Sequence, residues 1–436
     1  MKQFLSTIFI LSIFAISAKT QVVFEGSAES VITTSPTPST GLEAVYVVNN
    51  ANGMTMSYTG SSNVKWSRFS SSGAAYAESI GTSRSIALEN NDCGYIAEVN
   101  GKSHYFWVVN YSNHEFSVSE FTIDNDNSDC QRTAFHFAGN ASPISFYSLN
   151  GRPETLDRNI TLTYSTLEFD ADANTYHQIE QSVSYSSINS LVSVDSPLCD
   201  TRFTLKGDRF LKEWKREISV ETPTIKASAI SAETTAEQNE RDIDNEQKVQ
   251  GTSLGGSAPC EINFSAIVSD AASFYEWQLS SNPDFDPIDD RYNQTDFSYT
   301  FREQGNTYVR FFAANDDGHC EYYSSVYEIS IGESDLRCPN AFSPKSTPGV
   351  NDEWKVSYKS IVSFDCHIFN RWGIEMCSFT DPSLGWDGKY KGKYVPAGTY
   401  YYVIKARGAD GREYKLSGDI NIINSKDNFH SGESTE

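Results

Sequence analysis

Residue types and spacings that would indicate a helical or metal-dependent protein are scarce in this sequence. It contains only 4 Met in 436 residues, and Leu and Ala rarely recur at the helical period. Neither a Cys-x-x-Cys pair nor a His-Glu-x-x-His pair occurs, which excludes the common zinc and thioredoxin-like motifs. Aromatic residues, mainly Tyr and Phe, reach 13%, and Ser and Thr are abundant. The composition therefore favours an all-β chain.

Long apolar runs and an excess of positive charge are also missing. After the first twenty residues, no run approaches the ~18 apolar residues that a membrane-spanning helix needs. The chain carries 34 Lys plus Arg against 57 Asp plus Glu, and this net charge of −23 argues against binding nucleic acid or an anionic membrane. The charge is uneven, because residues 335–424 hold 12 basic and 10 acidic residues. The net negative charge of the chain therefore comes from the residues outside 335–424.

The N-terminus predicts export. Lys2 supplies a positive charge, residues 4–16 are mostly apolar, and Ala18 offers a small residue for cleavage. We therefore predict that residues 1–20 are a secretory signal peptide, which would bring the mature chain into an oxidising compartment.

Eight cysteines in an exported chain predict disulfides. Sequence position and the expected hairpins suggest three pairings: Cys260 with Cys320, Cys366 with Cys377, and Cys130 with Cys199. The remaining two, Cys93 and Cys338, have no assigned partner.

Turn residues and composition divide the chain into domains. Asn52-Gly53 and Asn100-Gly101 are typical two-residue hairpin turns between short alternating strands. Residues 222–258 contain no aromatic residue, so we expect a disordered linker there, with a short helix over residues 232–248 as the alternative. The predicted organisation is tandem immunoglobulin-like or β-sandwich domains in the following order: a β-sandwich over residues 21–123, a second over 130–221, the linker over 222–258, an immunoglobulin-like or fibronectin-like domain over 259–334, a small β-sandwich over 335–424, and a polar tail over 425–436.

No catalytic or cofactor site is predicted. Asp170, Asp172 and Asn174 alternate as in a calcium loop, but the glycine expected at the sixth position is missing, so calcium is only a minor alternative to a solvated acidic loop. Exposed aromatic residues and scattered carboxylates leave two hypotheses for the function of the domains that precede residue 335. This part of the chain is a non-enzymatic protein that binds glycan or a surface protein, or it is a glycan-active hydrolase whose site is built from carboxylates of the N-terminal domains.

The most informative stretch is residues 335–424. Two short apolar runs flank Arg371-Trp372-Gly373, which predicts a tight hairpin with glycine in its turn. Further on, the run beginning at Tyr400 alternates its side chains, with Tyr400, Tyr402 and Ile404 on one face and Tyr401, Val403 and Lys405 on the other. These patterns predict a small β-sandwich.

These fragments, in this order and spacing, resemble the gliding-motility-associated C-terminal domain, the type B cargo signal of the type IX secretion system of Bacteroidota. The resemblance implies a sorting domain that engages the type IX machinery and delivers the chain to the outer-membrane surface or the medium. The sorting-motif residues that it implies are Pro339, Asn340, Phe342, Ser343, Pro344, Asn351, Asp352, Phe369, Asn370, Arg371, Trp372, Gly373, Trp386, Asp387, Gly388, Gly398, Tyr400 and Tyr401. The sequence departs from the family at residues 345–350, where the family shows an Asn-Gly-Asp-Gly loop, and in the tail after Asn424.

Overall fold

The structure, a computed structural model, describes residues 22–61, 63–189, 191–247, 254–344 and 349–423. Among these residues nearly all regular structure is β-strand, and the one α-helix is a single turn, α1 (Arg209–Glu213). The predicted all-β class is therefore confirmed. The proposed signal peptide and the polar tail lie outside the described residues. The chain forms two compact units: one runs to Thr166 and includes Gln178–Lys226, and the other comprises Leu167–His177 and everything from Ala227 onward.

The described residues of the first unit carry strands β1 to β18, except that Leu167–His177, at the ends of β14 and β15, are assigned to the second unit. The strands are β1 (Val22–Glu25), β2 (Ile32–Thr34), β3 (Ala44–Val48), β4 (Thr55–Tyr58), β5 (Val64–Phe69), β6 (Glu78–Ser83), β7 (Ser85–Ala87), β8 (Cys93–Val99), β9 (Lys102–Asn110), β10 (Ser117–Ile123), β11 (Arg132–Asn140), β12 (Ile144–Tyr147), β13 (Pro153–Leu156), β14 (Ile160–Asp170), β15 (Thr175–Tyr185), β16 (Val192–Asp195), β17 (Thr204–Gly207) and β18 (Ile218–Glu221). Short 3-10 turns occur at Pro38–Thr40, Ala74–Tyr76, Tyr111–Asn113 and Asn125–Asn127.

A six-stranded sheet in the order β2-β3-β9-β8-β5-β6 organises the first unit. Its central strands β3 and β9 pair in parallel, and β3 is buried along its whole length. Such a continuous apolar run is expected of a strand that is covered on both faces. Tyr46 and Phe106 face one core with the sheet β1-β4-β7, whereas Val47 and Trp107 face a second core.

That second core joins the six-stranded sheet to the strands that follow it. Phe135, Leu162 and Phe203 from β11, β14 and the segment before β17 pack in the same apolar cluster as Val47 and Trp107. The strands concerned form the sheets β10-β11-β16 and β15-β14-β17-β18, with the small pair β12-β13 beside them. Strands 22–110 and 117–221 therefore share one hydrophobic core within this unit.

A fully buried ion pair crosses this part of the fold. The Nε of Arg158 donates to Oδ2 of Asp208 over 2.8 Å, and both side chains are 0% exposed. The other guanidinium nitrogens donate to the carbonyls of Ser142 and His114 at 2.9 and 2.8 Å, while Tyr111 donates its hydroxyl to Asp208 Oδ1 at 3.0 Å. Asp208 also accepts two backbone amides at the start of α1. The buried charges are thus hydrogen-bonded on every side, as burial requires.

The second unit contains the remaining eighteen strands. They are β19 (Ala232–Gln238), β20 (Leu254–Gly256), β21 (Cys260–Val268), β22 (Phe274–Ser280), β23 (Asp290–Tyr292), β24 (Phe297–Phe301), β25 (Gly305–Ala314), β26 (Glu321–Tyr323), β27 (Tyr327–Ile331), β28 (Asp335–Arg337), β29 (Ala341–Phe342), β30 (Ser357–Lys359), β31 (Ile361–Phe369), β32 (Glu375–Phe379), β33 (Lys389–Tyr390), β34 (Lys393–Tyr394), β35 (Gly398–Gly408) and β36 (Glu413–Ile422).

Strands β19 to β27 form two sheets, β19-β21-β24 and β20-β27-β25-β22-β23, with β26 paired to β25. Trp277 is fully buried between the sheets, and its Nε1 donates to the carbonyl of Thr295 at 2.8 Å. We call this part the immunoglobulin-like domain.

The predicted disordered linker is wrong for the described residues between 222 and 258. Residues 232–238 form β19, which pairs with β21 along all seven of its positions, and residues 254–256 form β20 beside β27. The alternative of a short helix is wrong for the same reason. The segment lacks large apolar side chains, but its alternating small residues, of which Ala232 is buried, fit a sheet whose hydrogen bonds come from the backbone.

The predicted disulfide between Cys260 and Cys320 is wrong. Cys260 is the first residue of β21 and keeps its thiol, whereas Cys320 is disulfide-bonded. The turn that contains Cys320 lies near Phe274, which follows the far end of β21. Nine residues of strand span roughly 26 Å, far more than a disulfide can bridge.

The pairing of Cys130 with Cys199 does not form either. Cys130 is disulfide-bonded, while Cys199 is buried and retains its thiol. Beyond Ser196 the chain leaves β11, and the amide of Leu198 donates to Thr166 at 3.1 Å on the neighbouring sheet. This carries Cys199 away from Cys130.

Candidate export-signal domain

The residues after Ser334 fold around a five-stranded sheet in the order β29-β36-β35-β31-β32. We call residues 335–423 the C-terminal domain. Strand β29 pairs in parallel with β36, and the other neighbours are antiparallel. The pairs β28-β30 and β33-β34 form two separate two-stranded sheets.

The two faces of β35 differ as the alternation of its sequence predicts. Tyr400 and Ile404 are 7% and 0% exposed and belong to the domain core, whereas Tyr401 and Val403 are 45% and 41% exposed. The predicted alternation is confirmed. The outward side chains of β35 define an outer face, on which Tyr401 lies beside Phe369 of β31.

Two tryptophans belong to the core of the C-terminal domain. Trp354 and Trp386 are 0% and 1% exposed and pair as an antiparallel bridge. The ring of Trp386 lies 5.5 Å from that of Phe342 and 5.2 Å from that of Tyr400, measured between centroids. Trp354 donates its Nε1 to the carbonyl of Pro339 at 2.7 Å. Aromatic residues that are distant in sequence thus form one cluster.

The hairpin between β31 and β32 is present where the sequence predicts it. Its turn, residues 370–374, is the hairpin tip. Asn370 closes it, because its Oδ1 accepts the amides of Trp372 and Ile374, each at 3.0 Å, and its backbone pairs with Ile374. Gly373 has a φ of 77°, a left-handed conformation that favours glycine. The sequence of this motif therefore specifies a rigid turn.

The hairpin tip also projects an aromatic side chain into solvent. Trp372 is 70% exposed, and the guanidinium of Arg371 lies 4.2 Å from the centre of its ring. Ile374, two positions later, is 50% exposed. Trp372 therefore belongs to the turn, but its side chain contributes no burial to the core. A large exposed apolar side chain on a rigid turn is typical of an interaction site.

The sorting-motif residues fall into three groups by burial. Those that are buried are Phe342, Pro344, Trp386, Gly388 and Tyr400; those that are half-buried are Ser343, Asp352, Phe369, Asn370 and Asp387; those that are exposed are Pro339, Asn340, Asn351, Arg371, Trp372, Gly373, Gly398 and Tyr401. The motif therefore combines residues that build the domain with residues that are exposed to solvent.

Several buried or half-buried motif positions have a clear structural task. Gly388 has a φ of 74°, and a Cβ there would come within 2.9 Å of Pro344. Asp387 accepts the amide of Lys389 at 3.0 Å and its ammonium at 2.7 Å. Asp352 accepts the amide of Gly349 at 2.8 Å, which turns the chain just after the divergent loop. Residues 345–348 of that loop lie outside the described residues.

The predicted disulfide between Cys366 and Cys377 is wrong. Both residues keep their thiols, and β31 pairs with β32 so that Cys366 lies opposite Phe379 and Cys377 opposite Ile368. A shift of register next to Phe369 places one extra residue in β32, which is a β-bulge. Counting outward from the pair of Phe369 and Glu375 would place Cys366 opposite Ser378, and the bulge moves its partner one residue further, to Phe379. Burial raises the pKa of the Cys366 thiol to about 12.

Charged groups flank the outer face beside the hairpin. His367 Nδ1 lies 2.9 Å from Glu375, and its Nε2 lies 3.2 Å from Asp365. The hydrogen bond with Glu375 raises the pKa of His367 above its usual 6.5. These contacts are solvent-exposed, so they adjust the charge of this face more than the stability of the domain.

The acidic loop considered for calcium and a second acidic loop at Asp124 both use carboxylates to accept hydrogen bonds from their own segments. Asp170 accepts the amides of Asp172 and Ala173 at 2.9 and 3.0 Å, and these bonds lower its pKa. Asp124 likewise accepts the amide and the side chain of Asn127. Within the described ranges, no group of three or more His, Cys, Asp or Glu is arranged to hold a metal ion.

The first unit has a polar cleft of about 330 Å³ that could receive a ligand. The lining side chains carry hydroxyl, carboxylate and guanidinium groups and come from β14, β15, β17 and the adjoining segments: Thr163, Tyr164, Ser165, Glu180, Asp200, Thr201, Arg202, Thr204 and Thr224. Arg202 is oriented by donating its Nε to the hydroxyl of Thr224 at 3.0 Å. No sequence pattern predicts this cleft, because its lining residues come from four separate segments.

None of the helices in the described part of the chain has the length and apolar character needed to cross a membrane. A search of curated proteins gave no match to this sequence.

Structural comparisons give distant similarities. A tetra-tandem repeat in the extending region of a large adhesion protein is 11% identical, with 86% of this chain and 96% of that chain covered and a TM-score of 0.20. Dimeric latent PorU from Porphyromonas gingivalis is 11% identical over 76% of this chain and 36% of that chain, with a TM-score of 0.16. The three N-terminal domains of the bacteriophage RB49 highly immunogenic outer capsid protein are 11% identical over 71% and 100%, with a TM-score of 0.21. No functional argument follows from these values.

Two family matches are specific to parts of the chain. A fibronectin type III domain, Fn3_FA, matches residues 122–222, which include β11 to β18 and all of the residues that line the polar cleft except Thr224. The CHU_C type IX secretion signal domain matches residues 336–422, which include the tryptophan core and the hairpin tip. The C-terminal domain is therefore a type IX secretion signal domain, and it marks the chain for export to the cell surface or the extracellular space.

Proposed function

We propose that this chain is a two-step secreted binding protein. Its signal peptide directs it across the inner membrane, and the C-terminal domain then delivers it through the type IX machinery. The cargo before that domain is a non-enzymatic adhesion or matrix protein. The observation that carries the proposal is the C-terminal domain, whose motif residues build one core and leave Trp372 outside it.

The hairpin tip and the outer face are the surfaces that the machinery contacts. Trp372 and Ile374 are exposed at the tip, and Tyr401 and Val403 continue the apolar surface along β35. Arg371, which stacks on Trp372, gives the tip a positive charge. This combination fits an apolar recess with carboxylates at its rim, because aromatic and arginine side chains commonly dominate binding energy at interfaces.

Exchange of Trp372 tests this assignment. In a host that has the type IX machinery, Trp372→Ala in the full chain should reduce the fraction found outside the cell while the purified protein unfolds as before. Arg412→Ala is the control, since Arg412 is exposed in the turn between β35 and β36, at the other end of β35 from Tyr401 and outside the outer face. Normal delivery of the Trp372 variant would remove the tip from the proposed surface.

For the cargo, the polar cleft of the fibronectin type III region supports binding of a hydroxyl-rich ligand such as a glycan. Its threonine hydroxyls, two carboxylates and one guanidinium offer both donors and acceptors. Arg202→Ala should abolish retention on the glycan surfaces that the native chain recognises, and Lys206→Ala, on the same segment but outside the lining residues, should not.

The hydrolase hypothesis predicts a different result for the same material. Glu180 and Asp200 both line the cleft, so an enzyme would use them as its carboxylates. Release of reducing sugar by the native chain, lost in Glu180→Gln, would replace the binding proposal with the hydrolase. Retention without any release of sugar supports the binding protein.

A further inference from the structure

A short polar segment between β19 and β20 of the immunoglobulin-like domain contacts the C-terminal domain. We call residues 239–247, which follow β19, the strap. It starts on the immunoglobulin-like domain, where the amide of Asn239 donates to Glu261 at 3.0 Å, and it ends against β30. Both ends lie in the same compact unit. The strap lies about ninety residues before the C-terminal domain in sequence, so these contacts are long-range.

Backbone hydrogen bonds join the strap to the edge of a sheet. The amide of Tyr358 donates to the carbonyl of Asn245 at 3.1 Å, and the amide of Gln247 donates to the carbonyl of Tyr358 at 2.8 Å. Glu246 and Tyr358 consequently form a parallel bridge. The strap thus extends the pair β28-β30, as peptides do when they add to a sheet edge.

The side chain of Asn245 links two segments of the C-terminal domain. Its Nδ2 donates to the carbonyls of Val356 and Pro382, each at 2.8 Å. Val356 follows Trp354 by two positions, and Pro382 precedes Trp386 by four. One amide group therefore ties together the segments that carry the two bridged tryptophans of the core.

Further contacts fix the strap on both sides of Asn245. Ile243 packs against the core of the C-terminal domain, and Asp244 pairs with Lys355 at 3.2 Å. Gln247 Nε2 donates to Asp335 at 2.8 Å and to Ser357 at 3.3 Å. The ion pair is exposed and contributes little, whereas the apolar contact and the hydrogen bonds give the strap a defined register.

The immunoglobulin-like domain reinforces this attachment. Ser257 accepts the amide of Ser360 at 2.8 Å, and the amide of Gln304 donates to the carbonyl of Ala409 at 3.1 Å. Val362 and Ala409 of the C-terminal domain pack against the immunoglobulin-like core. The immunoglobulin-like domain and the C-terminal domain therefore also contact each other directly, in addition to their contacts with the strap.

From these contacts we propose that the strap is part of the export signal. The form that the machinery accepts is the C-terminal domain with the strap docked, so the functional signal extends N-terminally beyond residues 336–422. The reason is that release of the strap leaves the carbonyls of Val356 and Pro382 without their donor and loosens the link between Trp354 and Trp386. This inference rests on the proposed sorting function and adds a requirement to it.

The test uses the full chain with three single substitutions. Asn245→Ala removes the amide link, Ile243→Ser removes the apolar contact, and Asp242→Ala changes an exposed residue of the same segment as the control. Two quantities are measured: hydrogen exchange of the Tyr358 amide in the purified protein, and the fraction of the chain outside a host with the type IX machinery. Limited proteolysis confirms that each variant remains folded.

Loss of two hydrogen bonds should speed exchange of the Tyr358 amide about tenfold or more in Asn245→Ala, with export falling in parallel, while Asp242→Ala matches the native chain. Ile243→Ser should act in the same direction. Faster exchange with undiminished export would overturn the proposal, as would unchanged exchange in both strap variants. If the unsubstituted chain itself stays in the periplasm, the sorting assignment fails, and this inference fails with it.

Discussion

Trp354 and Trp386 exchange both of their backbone hydrogen bonds, with N···O distances of 2.9 and 3.0 Å, and both side chains are buried. This bridge joins the two segments that bring Trp354 and Trp386 into the core of the C-terminal domain. Trp372 lies eighteen residues after Trp354 and fourteen before Trp386, and its side chain is exposed. Two tryptophans of this domain therefore stabilise its core, and the third is accessible to solvent.

The bridge predicts a large stability difference between two Trp substitutions. Trp386→Ala should lower the free energy of unfolding by about 3–5 kcal/mol, because it removes a fully buried ring. Trp372→Ala should change it by less than about 0.5 kcal/mol, since its ring is mostly in solvent. Urea unfolding followed by tryptophan fluorescence measures both. Equal losses would contradict the burial assigned here.

Sequence patterns identified the parts of this domain that depend on local rules. The alternation of Tyr400 and Tyr401 follows from the strand period, and the turn at Gly373 follows from the backbone freedom of glycine. The partner of Cys366 was missed for two reasons: the exact centre of the turn and the bulge in β32 each move the pairing by one residue, and neither leaves a clear mark in the sequence. The exposure of Trp372 was missed because hydrophobicity alone predicts burial.

Long-range features were harder to predict for a different reason. The strap is polar and has no strand period, and Asn245 acquires its role only from carbonyls that lie more than a hundred residues away. The same holds for Arg158, whose partner Asp208 is fifty residues distant. Such contacts depend on the tertiary fold and not on local propensity.

The buried pair of Arg158 and Asp208 predicts a strong effect of removing one partner. Asp208→Ala should destabilise the first unit by about 3–5 kcal/mol, because the guanidinium would remain buried without its counter-charge. Replacing both by apolar residues, as in Arg158→Met with Asp208→Leu, should cost less than the single change. Thermal unfolding of the purified chain compares them. A single variant as stable as the double one would contradict the buried-charge argument.

The pair of His367 and Glu375 predicts a shifted titration. Because Glu375 raises the folded-state pKa of His367, the NMR titration midpoint of its ring should lie above 6.5 and move down in Glu375→Gln. The sign follows for stability: the contribution is fully present below pH 6.5 and is lost as pH rises through the folded-state pKa. A midpoint that does not respond to Glu375→Gln would contradict the assigned contact.

Burial predicts that the Cys366 thiol is unreactive in the folded chain. Its raised pKa, about 12, leaves almost no thiolate at pH 8, and the side chain is fully buried. Alkylation followed by peptide mapping should label it slowly in the native chain and rapidly after unfolding. The same maps should show no peptide that joins Cys366 to Cys377. Rapid native labelling, or that linked peptide, would contradict the structure.

Transfer of export to an unrelated protein tests directly whether residues 227–436 carry the export signal. An inert reporter is placed after residues 1–20 and before residues 227–436, which include the strap, the immunoglobulin-like domain and the C-terminal domain, and a second reporter carries residues 1–226 alone. In a host with the type IX machinery, the account predicts that the first reporter reaches the surface or medium and that the second stays in the periplasm. Retention of the first reporter in the periplasm would contradict it.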